Sequence, residues 1–155
     1  MSYLIDTSSF PTGENIDYES EEEVKELDAL RDEAERYLAT YHWDPPITEL
    51  VLAFGVAPII ALFLVRRASG GKPEDAERWV AVGDLPSMHF ETDDTPTPAL
   101  ALRLYCAIAQ DWSDNVLAGR DLSDSYPIPV APTQEHAEML LGRVDFIRTK
   151  LIPLA

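Results

Sequence analysis

The chain has 155 residues, 46% apolar and 26% charged, with 28 acids against 12 bases and a net charge of −16. That length and apolar content suit one domain with its own core, whereas the negative charge argues against nucleic acid or an anionic membrane as partner, since both would be repelled. A lone cysteine, Cys106, excludes an internal disulfide and a cysteine-rich zinc site, and suits a cytoplasmic location.

The charge is uneven, because residues 1–49 hold fourteen acids and three bases. Residues 1–19, with Ser8, Ser9, Pro11, Gly13, Glu14 and Asp17, read as a flexible acidic arm, and 20–155 as a single α+β domain. The N-terminus lacks the basic, apolar, small-residue order of a secretory signal. Ser20 followed by Glu23 makes a capping box, and acids in the next turn suit the positive end of a helix dipole. Val24, Leu27, Leu30, Ala34, Leu38 and Tyr41 recur at helical spacing, predicting a helix over 20–41 stopped by Asp44, Pro45 and Pro46.

Leu50 to Val65 is uncharged for 16 residues. That is short of the roughly 20 that span a bilayer, and Gly55 and Pro58 interrupt it. A short helix over 47–54 followed by a strand over 57–67 places both as boundary residues. Ile59 to Val65 is too continuously apolar for a half-exposed strand, so these residues are expected to be covered on both faces. Ser69 to Pro73 reads as a turn. Arg78 to Val82 and Met88 to Phe90 then pair as an antiparallel hairpin, with Trp79 and Val80 on opposite faces. Either Thr95-Pro96 or Thr97-Pro98 caps a third helix ending near Leu117 and Gly119, with Leu100, Leu104, Tyr105, Ile108 and Trp112 facing inward. Asp121 to Pro132 reads as a surface connection. Thr133 caps a last helix whose inward stripe is Leu140, Leu141, Val144, Ile147 and Leu151. The fold expected is α+β: a central antiparallel hairpin or small sheet packed against about four helices in a single layer.

The succession of a strand, Trp79-Val80-Ala81-Val82-Gly83-Asp84-Leu85-Pro86, and a proline-capped helix with Ala101-Leu102-Arg103-Leu104-Tyr105 resembles a family of short uncharacterised bacterial proteins. In that family a Gly-Asp-Leu-Pro turn follows an aromatic strand. The likeness covers residues 50–116; it implies an α+β arrangement and no activity.

Catalytic motifs are lacking: there is no nucleophile elbow, zinc-protease helix or dinucleotide fingerprint, and Gly70-Gly71-Lys72-Pro73 lacks the remainder of a phosphate loop. Asp84, His89, Glu91, Asp93 and Asp94 gather near the hairpin, and His89 and Glu91 share a strand face. Together with His42 and His136 they are the residues that a metal-dependent or hydrolytic site would use. Cys106, beside an apolar stripe, reads as a small hydrophobe rather than a nucleophile.

The acidic helix offers more. Glu21 with Lys25 and Asp32 with Arg36 are favourable four-apart pairs, leaving Glu19, Glu22, Glu26, Asp28 and Glu33 less compensated. Tyr41 and Trp43 lie beside them as aromatic anchors. These seven residues are the expected partner-binding set of a module, without cofactor, that neutralises or escorts a basic protein in the manner of an immunity protein or secretion chaperone. The rival readings are a small enzyme using Asp84, His89, Glu91 and Asp94, and an acidic DNA mimic. Composition and spacing leave the oligomeric state open.

Overall fold

The uncharged stretch fixes the centre of the fold: all six residues from Ile60 to Val65 are buried. The computed structural model describes Thr7 and residues 21–43, 46–68 and 77–155. Strands β1 (Ile47–Val56), β2 (Ile60–Arg67), β3 (Glu77–Gly83) and β4 (Met88–Glu91) form an antiparallel sheet in chain order. Successive side chains leave a strand on opposite faces. Ala61, Phe63, Val65, Val80 and Val82 therefore pack under helix α1 (Glu21–Leu38), while Ile60, Leu62, Leu64, Trp79, Ala81, Met88 and Phe90 pack under α2 (Pro98–Leu117) and α3 (Gln134–Phe146). The expected covering of Ile59 to Val65 on both faces is thereby met. A single layer of helices is not, because two apolar faces each need a cover.

The helix expected over 47–54 is a strand, and the helices of the described residues number three rather than about four. Leu50 and Leu52 join the α1 side while Val51 and Ala53 join the other, a period of two that the irregularity between Leu52 and Phe54 shifts so that Phe54 and Val56 follow on the second side. The pairing Leu50↔Val65 and Val51↔Leu64 shows what decides it: β2 needs a neighbour on that edge. Irregular register near Ile47 and near Leu52 breaks the flatness of β1, a usual way of blunting an edge strand. Pro58 stands in the β1–β2 turn after a cis Ala57–Pro58 bond, with Ile59 N–H donating to Val56 O at 2.8 Å, whereas Gly55, expected as the other boundary residue, lies within β1.

Ser20 and Glu19, Asp44 and Pro45, and the Ser69–Pro73 turn lie outside the described residues. Helix α1 buries Leu27, Leu30, Ala34 and Leu38 as expected, yet it ends at Leu38 and leaves Tyr41 45% exposed. Trp43 supplies the reason, for its indole N–H donates to the Leu38 carbonyl at 2.7 Å and satisfies a group that the helix end leaves open. Thr97 rather than Thr95 caps α2, accepting from Leu100 N–H at 3.2 Å, with Pro98 in the first turn. Its buried stripe runs through Ala101, Leu102, Tyr105, Cys106, Ala109, Trp112 and Ser113, so Leu100, Leu104 and Ile108 sit at its margin rather than at its centre. Thr133 caps α3, which continues through a π-helical turn (Ile147–Leu151) and buries Leu140, Val144, Ile147 and Leu151. Leu141 is only half-buried. The 121–132 connection is no mere surface loop: Ile128 is buried, and Leu122, Tyr126 and Val130 pack on the α2–α3 core.

Gly83 closes β3 at φ +138°, and Asp84 N–H donates to Ile59 O at 2.8 Å. Arg143 from α3 grips the same turn, donating to the Asp84 carbonyl at 2.8 Å and to its carboxylate at 2.6 Å. Leu85 is buried, and Pro86 O accepts the Tyr105 hydroxyl at 2.7 Å. The turn thus ties sheet, α2 and α3 together.

Candidate functional site

The polar chemistry gathers where α1 ends above the sheet. Because α1 stops at Leu38 and the chain turns back, Tyr37, Tyr41 and Trp43 come round one side chain of β4, His89. Ring centroids stand 4.7 Å (Tyr41), 5.3 Å (Trp43) and 5.9 Å (Tyr37) from its imidazole. The register places Val80 opposite His89, so Arg78, two residues away on the same face of β3, reaches it: Arg78 Nε–H donates to His89 Nδ1 at 3.0 Å. The ring proton therefore rests on Nε2. Tyr126, from the 121–132 connection, donates its hydroxyl to the His89 carbonyl. Tyr37 and Tyr41 hydroxyls are 3.4 Å apart, and the Arg67 guanidinium lies 5.7 Å from the Trp43 ring centre, within cation–π range.

Burial first, and then the Arg78 charge, lower the His89 pKa from 6.5 to about 4. Burial also raises the Tyr37 and Tyr126 hydroxyls above their ordinary range. The site is thus uncharged at its aromatic centre at neutral pH apart from its arginines. A stability signature follows. The unfolded chain takes up a histidine proton near pH 6.5 and the folded one only near pH 4, so the contribution is complete above about 6.5 and is lost as pH falls towards 4. After allowance for the ring's partial exposure it amounts to about 1–2 kcal/mol. His89→Gln keeps an acceptor for Arg78 and removes the titration. Urea midpoints at about pH 7 and about pH 4.5 are expected to differ less in that variant than in the parent; an equal acid loss in both rejects the assignment.

Beside the aromatic cluster, a groove of about 340 Å³ opens between the last turns of α1 and the start of β1. Leu38, Ile47, Leu50 and the Trp43 side chain make its apolar wall, and Glu35 and Glu49 stand on its two sides. Glu49 is 3.4 Å from Arg66, whose closer partner is the buried Glu77 at 3.1 Å. Glu35 is exposed and forms no ion pair among the described residues.

Of the residues expected to bind a partner, Glu22 and Asp28 are exposed on α1, and Glu26 and Glu33 are half-exposed; Glu19 lies outside the described residues. Neither Glu21–Lys25 nor Asp32–Arg36 closes to ion-pair distance among the described residues, which corrects that expectation. Arg31 turns inward instead, donating to Leu50 O at 2.8 Å with its guanidinium over Phe63. The eight acids of α1 therefore face three bases, of which one is drawn to the sheet.

The rival set is dispersed by contrast. Asp84 is held by Arg143, His89 by Arg78, and Asp93 and Asp94 are exposed beyond β4. The His136 ring meets Ala131 O at 2.8 Å. No three His, Cys, Asp or Glu side chains among the described residues stand close enough to hold a metal ion. Cys106 is buried in the α2–α3 core, and burial pushes its thiol up to about 11, against a smaller opposing effect of Arg148. The thiolate that a nucleophile requires is thus suppressed. No helix of the described residues is long and apolar enough to cross a membrane. Position alone gave no sign of His89, Arg78 and Tyr126 meeting the α1 aromatics; the strand period put His89 and Arg78 on chosen faces, and only the sheet register joined them.

No curated protein and no solved structure matches the chain. A family model does, over residues 32–149. It takes in the aromatic cluster, the groove, the sheet and α2–α3, and leaves Glu22, Glu26 and Asp28 outside. The chain belongs to the family described as a domain of unknown function (DUF4826).

Proposed function

We propose that this protein is a binding module for a basic partner protein, received on the α1 side of the sheet. The observation that carries the reading is the carboxylate excess of α1, eight acids against three bases of which Arg31 is drawn to the sheet, which leads directly to the aromatic cluster and groove at its C-terminal end. Such an arrangement divides the labour of recognition. The field of the helix accelerates encounter with a cation-rich surface, and half-buried aromatic and apolar groups set how long the complex lasts. Neutralising or escorting that partner, as an immunity protein or secretion chaperone does, is the form of action we assign to a site that presents a charged and aromatic surface.

The test uses the partner itself, captured at low salt, released at high salt and identified. With purified partner, the combined variant Glu22→Lys, Glu26→Lys, Glu33→Lys is expected to slow association about tenfold or more at low salt, with a smaller effect on dissociation. The difference shrinks as salt screens the helix. An association rate equal to that of the parent protein sinks the proposal.

A further inference from the structure

Resting on that reading, we infer that the groove between the end of α1 and the start of β1 is the receptor for a single lysine or arginine side chain of the partner. Three features point to this occupant. The volume, about 340 Å³, is at the small end of the roughly 300–1,000 Å³ of pockets that take small ligands, which suits one long side chain rather than a folded segment. The wall is made of Leu38, Ile47, Leu50 and Trp43, surfaces against which the methylene stem of a lysine or arginine packs while its head stays polar. Two carboxylate residues, Glu35 from the helix and Glu49 from the strand, line the groove and supply the negative charge that a cationic head requires.

The nearby cations do not close the site to a positive ligand. Arg66 is committed to the buried Glu77, its nearer partner, and Glu49 remains 56% exposed, so its contact with Arg66 is the solvent-screened kind that exchanges readily. The guanidinium of Arg67 stacks over Trp43, which demonstrates that this indole already serves as a platform for a cation of the kind proposed. Trp43 is itself fixed, because its N–H is engaged by Leu38 O at 2.7 Å. A preformed wall of this sort lowers the ordering cost of binding.

Hexalysine is the probe, titrated at low salt with the Trp43 indole N–H resonance and calorimetry as readouts; hexalysine acetylated on every side chain is the uncharged control. The parent protein is expected to bind hexalysine, to shift the Trp43 resonance and to ignore the acetylated peptide. Glu35→Gln with Glu49→Gln should weaken binding at least fivefold and abolish the Trp43 shift. Glu135→Gln with Asp145→Asn removes the same charge from α3, on the other face of the sheet, and should change affinity less than twofold. Equal weakening by the two pairs overturns the groove and leaves a diffuse acidic surface standing. No binding of hexalysine by the parent protein overturns both the groove and the basic-partner reading. Both pairs replace exposed or half-exposed side chains, and unchanged melting temperatures separate lost binding from lost fold.

Discussion

Replacing Gly83 by alanine is expected to destabilise the fold by about 2–6 kcal/mol, whereas the same change at Gly142 stabilises it by about 0.4–1 kcal/mol. At Gly83 the backbone has φ +138°, a region that side-chain-bearing residues rarely adopt, and a Cβ there would stand 2.2 Å from the Ile59 carbonyl oxygen. Backbone atoms cannot swing aside as the end of a flexible side chain can. To admit the methyl group, the Ile60↔Gly83 end of the β2–β3 ladder must open, and the Asp84 N–H bond to Ile59 O goes with it. Strain of about 1–3 kcal/mol for the unfavoured conformation and about 1–3 kcal/mol for overpacking combine to the range given. Gly142 is the control: it lies within α3, its added Cβ meets nothing within 4 Å, and alanine restricts the unfolded chain. Urea unfolding of the two variants measures the contrast, and a Gly83→Ala midpoint within error of the parent's refutes the account of this turn.

The same turn indicates how much the sequence discloses. Gly83-Asp84-Leu85-Pro86 was legible as a bend because glycine and aspartate carry local backbone preferences that need no tertiary partner. Helix caps were legible for the same reason, and Thr97 and Thr133 each accept the bond that their position predicts. The strand β1 was not, since Ile-Thr-Glu-Leu-Val-Leu-Ala-Phe permits helix or strand, and the edge of β2 selects the second. On α2 the large apolar residues pointed to a stripe through Leu100, Leu104 and Ile108. Ala101 and Ala109 are fully buried beside Leu102, Tyr105 and Cys106, because small side chains let a helix approach a sheet closely, and residue size conceals the alanines in a hydrophobic count. Of the candidate site, the acids of α1 with Tyr41 and Trp43 were visible as a charge run ending in aromatics. The meeting of Trp43 with His89 and Arg78 was not, for it joins residues 43, 78 and 89 through a register that sequence spacing does not encode.

The helices lie on opposite faces of the sheet, and Trp79 belongs to the face packed by α2 and α3. Its side chain is fully buried on the α2–α3 side, between Leu64 and Phe90 as cross-strand neighbours, and its indole N–H donates to Thr95 O at 2.9 Å. Thr95 in turn donates its hydroxyl to Glu91 O at 3.2 Å, so the tryptophan ties β3 to the connection that leads from β4 into α2. Trp79→Ala is expected to cost about 3–5 kcal/mol, a large share of the roughly 5–15 kcal/mol that holds a domain together. Trp79→Phe keeps most of the apolar volume and strands the Thr95 carbonyl, so about 1–3 kcal/mol is expected from the lost bond. Arg78 and Val80, the neighbours of Trp79 in β3, point the other way, towards α1 and His89. Loosening β3 from below therefore frees the Arg78–His89 contact above, and the His89 titration should move from about 4 towards 6.5 in Trp79→Ala before the fold is lost. Chemical denaturation gives the energies and the histidine ring resonances give the titration. A Trp79→Ala variant as stable as Trp79→Phe rejects the packing argument, and a destabilised variant whose His89 still titrates near 4 rejects the coupling between the two faces of the sheet.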